Sequence, residues 1–159
     1  MAPPSALTRL DEIDRAILEL LQHEGRISNA DLARRINLSP PATYTRVRRL
    51  EQEGYITGYA AHLNREKLGY GMLCYISVSL QMHQFNELAK FRERLIAMPE
   101  VLECSFVTGE FDYLLKVVLR DQKDLERFIL QELTPLPGVA RVNTSLVGAE
   151  LKSTTAMSV

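Results

Sequence analysis

Arg34, Arg35, Arg46, Arg48 and Arg49 fall between Leu32 and Leu50 with no Asp or Glu among them. The whole chain has a formal net charge of -1, so this cationic character is local, and it is local potential that attracts phosphate. On a 3.6-residue period the side opposite Val47 carries Ala42, Thr45, Arg48 and Arg49, with Arg46 at its flank and Tyr44 toward the buried edge. Short side chains let a helix approach base edges in the major groove while guanidinium groups hold phosphates or guanine. With Ser39 at the helix start, the candidate contacts to double-stranded DNA are Ser39, Ala42, Thr45, Arg46, Arg48 and Arg49. The competing reading is an ordinary solvated arginine face.

A second group lies at Thr108-Gly109-Glu110-Phe111-Asp112-Tyr113. A free amino acid needs a carboxylate for its ammonium and hydroxyl or backbone N–H donors for its carboxylate, and this segment offers both. It is equally a hairpin turn with a glycine and two solvated acids. Other chemistry is poorly represented. His23, His62 and His83 are scattered, no paired-cysteine or His-x-x-x-His spacing occurs, and there is no glycine-rich phosphate loop or nucleophile elbow. No catalytic residue, metal ligand or cofactor is therefore expected. Cys74 and Cys104, each in an apolar stretch, read as reduced core thiols.

Helices must position the arginines. Leu10, Ile13, Ile17, Leu20 and Leu21 recur at helical spacing up to Gly25. Ser28 with Asp31 reads as a capping box opening a short second helix, and Ser39 as an N-cap with Pro40 at the first position of a third helix ending at Gly54. Two short helices joined by about four residues form a helix-turn-helix. Thr57 to Asn64 reads as a strand or an extended linker.

The second group sits in a different pattern. Cys74, Ile76, Val78, Leu80 and Met82 alternate as a half-buried strand, and Leu88, Phe91, Leu95 and Ile96 mark a helix closed by Pro99. Leu102, Cys104 and Phe106, then Tyr113, Leu115, Val117 and Leu119, alternate on either side of Gly109 as a hairpin. Leu125, Phe128, Ile129 and Leu133 give another helix, and Val139 to Val147 a fourth strand. Met98-Pro99-Glu100-Val101 and Leu136-Pro137-Gly138-Val139 repeat 38 residues apart, so two strand-helix-strand units make a ferredoxin-like βαββαβ sheet with both helices on one face. Leu73, Tyr75, Leu114 and Val118 are left on the other face and predict a subunit interface.

The 159 residues are 46% hydrophobic and 25% charged, a composition suited to one ordinary domain or two small ones and not to a disordered chain. No apolar run is long enough to span a membrane, and Met1 to Leu7 do not resemble a secretory leader, so a cytoplasmic protein without a membrane partner is expected.

Taken in order, Leu10-Asp11-Glu12-Ile13-Asp14, Gly25-Arg26-Ile27-Ser28-Asn29, Leu38-Ser39-Pro40, Arg46-Val47-Arg48-Arg49-Leu50-Glu51-Gln52-Glu53-Gly54-Tyr55-Ile56 and Thr108-Gly109-Glu110-Phe111-Asp112-Tyr113-Leu114-Leu115-Lys116-Val117 closely resemble the Lrp/AsnC (feast/famine) family of regulators, over about Leu10 to Lys152. The resemblance implies a transcriptional regulator that binds DNA, forms a dimer, tetramer or octamer, and responds to a small-molecule effector, usually an amino acid. It places the effector around the Gly-x-x-Asp turn, which selects Ser105, Thr108, Gly109 and Asp112. The expected fold class is α+β, with a winged-type helix-turn-helix domain (1–56), a linker (57–69), a ferredoxin-like domain (70–152) and a C-terminal tail (153–159). The alternatives are a ferredoxin-like small-molecule-binding subunit or a dimeric-barrel enzyme, and neither accounts for the first third of the chain.

Overall fold

A computed structural model describes residues 10–81 and 85–159, so Met1 to Leu7, the strand position expected for Met82, and His83 lie outside the described residues. The chain divides into two compact units, one of residues 10–62 with Lys152–Val159 and one of Leu63–Leu151.

In the first unit, α1 (Glu12–His23), α2 (Asn29–Arg35) and α3 (Pro40–Gln52) close around Ile17, Leu18, Leu32 and Leu50, flanked by Ile13, Leu21, Ile36 and Val47. The helix starts are fixed by their own side chains. The Asp11 carboxylate accepts the Asp14 N–H at 2.8 Å and the Asp14 carboxylate accepts the Asp11 N–H at 3.2 Å, a reciprocal cap on α1. Ser28 caps α2 through the Asp31 N–H at 3.0 Å, but Asp31 answers to the Ser28 hydroxyl rather than to its backbone. Between α2 and α3 the chain turns at Asn37, whose φ of 55° suits Asn better than most residues. The Asn29 side chain then donates to the Pro40 carbonyl at 2.8 Å and ties the two helix starts together. Residues 57–64 run without strand pairing, and those up to His62 belong to the first unit, where the Tyr59 hydroxyl donates to Glu51 at 3.2 Å. The C-terminal residues return to α1, where the Gln22 amide donates to the Met157 carbonyl and accepts the Met157 N–H, at 2.9 and 2.6 Å.

The second unit is one antiparallel sheet of β1 (Met72–Leu80), β2 (Val101–Phe106), β3 (Tyr113–Leu119) and β4 (Val139–Leu146) in the order β2-β3-β1-β4, the ferredoxin-like arrangement. Cys74, Ile76, Val78, Tyr113, Leu115 and Val117 form a core with Phe91 and Leu95 of α4 (Phe85–Ile96) and with Phe128 and Leu133. The second helix departs from expectation. It begins as α5 (Gln122–Arg127) and continues as a π-helical segment, Phe128–Leu133. Phe128 and Leu133 are five apart and both fully buried, a spacing that a π-turn satisfies and a regular α-turn does not.

Strand position also corrects two burial expectations. Cys104 is exposed, and Leu102 and Phe106 are 55% and 63% exposed, because β2 is an edge strand. On the face away from the helices Leu73 stands opposite Val118 and Ser77 opposite Leu114. Leu73 and Val118 are already buried in the single chain, so the apolar surplus expected there is reduced to Tyr75, which is exposed, and the half-buried Leu114.

Candidate nucleic-acid interface and effector turn

Ser39 starts α3: its hydroxyl accepts the Ala42 N–H at 3.4 Å, and Pro40 and Pro41 occupy the first two positions, where a missing N–H costs nothing. Thr43 and Leu50 point into the core. Opposite them Pro41, Tyr44, Thr45 and Arg48 are all exposed and lie at i, i+3, i+4 and i+7, one continuous outward face with Ala42 beside it. Tyr44 was expected toward the buried edge; its ring is 58% exposed instead.

Arg46 and Arg49 lean off that face toward α1. Arg46 Nη1 donates to Asp11 Oδ2 at 2.7 Å and to Asp14 Oδ1 at 2.9 Å, and Arg49 Nη2 meets Asp14 Oδ2 at 2.5 Å. Asp14 is 1% exposed, so a buried carboxylate grips two arginines of α3 with both its oxygens. Arg48 stays outward and meets Glu51 at 3.2 Å. An acid in the first turn of a helix reads as a dipole-complementing residue, and nothing local marks Asp14 as the partner of side chains more than thirty positions away.

Several carboxylates of this unit are held below the usual range. For Asp11 the first cause is the Asp14 backbone N–H and the next is Arg46; for Glu24 it is Arg35; for Asp31 it is the Ser28 hydroxyl and then Arg34. A carboxylate whose folded pKa is depressed contributes stability above its unfolded pKa, near pH 4, and loses it as pH falls through the folded value. The thermal midpoint of the helix-turn-helix unit should therefore drop as pH is lowered below about 4, with a shallower drop in Asp11→Asn. Melting curves recorded across that range check this, and an equal slope in the variant would remove Asp11 from the effect.

In the second unit Thr108, Gly109 and Asp112 share the β2–β3 turn, whereas Ser105 sits on β2 opposite Leu114, on the face away from the helices. Gly109 has a φ of 139°, a conformation that L side chains rarely adopt. Asp112 is held from three sides. Its carbonyl accepts the Val107 N–H at 2.9 Å, its N–H donates to Val78 at 3.0 Å, and its carboxylate Oδ2 accepts the Leu80 N–H at 2.7 Å. That last bond falls where the β1–β4 register shifts, between Ser79 and Leu80, so Asp112 supports an irregular strand end. The backbone N–H groups of residues 108–111 make no bond among the described residues. Next to the turn, Phe106 packs edge-on to Tyr113, whose hydroxyl accepts from Arg92 Nε at 2.7 Å. Among the described residues no group of His, Cys, Asp or Glu is placed to hold a metal ion, and no helix is long and apolar enough to cross a membrane.

Comparison with known proteins agrees with this division. Residues 10–57 match a family model described as winged helix-turn-helix DNA-binding, and residues 73–157 match the Lrp/AsnC ligand binding domain. The chain is 42% identical over 139 residues to the Bkd operon transcriptional regulator of Pseudomonas aeruginosa, covering 87% of this chain and 91% of that protein. It is 40% identical over 143 residues to the leucine-responsive regulatory protein of Escherichia coli, covering 90% and 87%. Among solved structures, a transcriptional regulator of Neisseria meningitidis in complex with L-Met superposes with a TM-score of 0.90 at 36% identity, covering 94% of this chain and 96% of that one. A feast or famine regulatory protein of M. tuberculosis complexed with L-methionine gives a TM-score of 0.83 at 29% identity, covering 94% and 99%.

Proposed function

The chain belongs to the Lrp/AsnC family of transcriptional regulators, and from that premise we propose that it regulates transcription by laying α3 in the major groove while the β2–β3 turn takes up an amino acid. The observation that carries the reading is α3 itself: a capped helix, braced against α1 and α2, whose outer face contributes nothing to the core. On it Ala42 and Thr45 approach the bases with Ser39 at the entry. Arg48 meets phosphate directly, and Arg46 and Arg49 do so with the outer N–H groups that Asp14 leaves free.

An amino acid at the turn would set its carboxylate against the free N–H groups near Thr108 and Gly109 and its ammonium against Asp112, with Ser105 on the adjoining strand. Support comes from the L-Met complexes of two similar proteins. Tyr75 and Leu114 lie on the face through which copies assemble into a dimer or a larger even-numbered oligomer, with Leu73 and Val118 buried beneath it. The reading needs no catalytic step and no cofactor, and it places the protein in the cytoplasm, where its DNA is.

Selection of random duplex DNA by the full chain tests it. The enriched sequences should contain two half-sites in successive major grooves, about 34–36 Å apart. On such a fragment Arg48→Ala should bind more weakly and lower the slope of log K against log salt by about one. Unchanged affinity and slope would take the outer face of α3 out of the interface.

A further inference from the structure

The first turns of α3, Pro40 to Thr45, offer no side chain that hydrogen-bonds bidentately to a base edge. Thr45 Oγ1 donates to the Pro41 carbonyl one turn back, at 3.0 Å, so its hydroxyl hydrogen is engaged and its methyl and an acceptor oxygen remain for another contact. The Ser39 hydroxyl oxygen accepts the Ala42 N–H as a cap, at the margin of this face. From Pro40 to Thr45 there is no Arg, Lys, Asn or Gln, the side chains that read guanine or adenine bidentately. What this turn does present is the Pro41 ring, the Ala42 methyl, the Thr45 methyl and an exposed aromatic ring at Tyr44.

In the major groove thymine is the base that carries a methyl group, at C5, and small apolar side chains pack against it. We propose that Pro41, Ala42, Tyr44 and Thr45 form an apolar reading surface that selects DNA by packing on thymine C5-methyl groups, with Tyr44 as a specificity-determining residue. This rests on the reading of α3 as the DNA-contacting helix. It adds the chemical feature that the helix recognises and a residue that pattern alone had set toward the core. The arginines flank this surface and carry affinity that does not depend on sequence.

The test uses the full chain and a fragment recovered by selection, with each thymine replaced in turn by deoxyuridine. Deoxyuridine pairs with adenine identically and lacks only the C5-methyl. At one or more positions the wild type should lose about fourfold in affinity, the equivalent of one buried methylene group. Tyr44→Ala should bind the unmodified fragment more weakly, keep the wild-type salt slope and be blind to at least one of those swaps, while Tyr44→Phe should respond as the wild type does. The proposal is overturned if no swap affects the wild type, or if Tyr44→Ala feels every swap as the wild type does. A wild type that enriches no sequence at all would overturn the DNA-contacting reading of α3 and this proposal with it, a result distinct from a selected fragment that tolerates every swap.

Discussion

Asp14→Ala is expected to lower the stability of the helix-turn-helix unit by about 2–3 kcal/mol. Removing one partner of a fully buried ion pair typically costs about 3–5 kcal/mol, because the remaining charge is stranded. Here the stranded groups are Arg46 and Arg49, whose side chains are 27% and 35% exposed, so water recovers part of that cost. The same carboxylate also accepts the Asp11 N–H, so the cap on α1 is weakened too. Thermal unfolding of the full chain, followed with a probe in the first unit, measures the loss. A fall below about 0.5 kcal/mol would reduce Asp14 to the solvated pairs that contribute little.

DNA binding by the same variant, measured below its melting temperature, separates anchoring from contact. If Arg46 and Arg49 reach phosphate from an anchored position, Asp14→Ala should weaken binding while the salt slope stays unchanged, because both cations remain. Arg46→Ala and Arg49→Ala should each lower the slope by about one. Unchanged slopes in both arginine variants would confine these residues to holding α3 against α1.

The local part of this architecture was legible in the residues. Ser39-Pro40 and Ser28 with Asp31 announce helix starts because caps act within one turn, and two strand-helix-strand repeats suffice for the ferredoxin-like order. What escaped was set by partners distant in the chain. Arg46 looked like a free cation because Asp14 lies 32 residues away, and Asp112 looked like a turn acid because Leu80 is equally remote. Thr43, Val47 and Leu50 read as the buried stripe of α3, and Thr43 and Leu50 are buried; Tyr44 was misplaced because the outer face was taken opposite Val47 alone, which turned it away from Pro41 and Tyr44. Cys104 and Phe106 alternate as properly as Cys74 and Ile76 do. Only the strand order reveals that β2 is an edge and leaves them exposed.

Asp112 carries the other large expectation, because an observed structural bond and a proposed ligand contact fall on one carboxylate and two substitutions pull them apart. Its Oδ2 holds the Leu80 N–H at the irregular end of β1, a hydrogen bond to a charged group worth about 1.5–3 kcal/mol. Asp112→Ala removes the acceptor and should destabilise the sheet unit by that amount. Asp112→Asn keeps an oxygen that can accept from Leu80, so the fold should survive with a much smaller loss. The amide carries no charge, however, and an amino-acid ammonium set against it would forfeit a charge-assisted bond, roughly a ten- to hundredfold loss in affinity. Calorimetric titration of L-methionine, the amino acid held by two similar proteins, into wild type and Asp112→Asn at matched oligomeric state reads this directly. Weaker binding by a stable, equally assembled Asp112→Asn would mean that the carboxylate meets the ligand as well as Leu80. Equal binding would leave Asp112 as a strand support alone, and the ammonium partner would then be sought at Glu110, the other acid of the same turn, whose side chain is exposed.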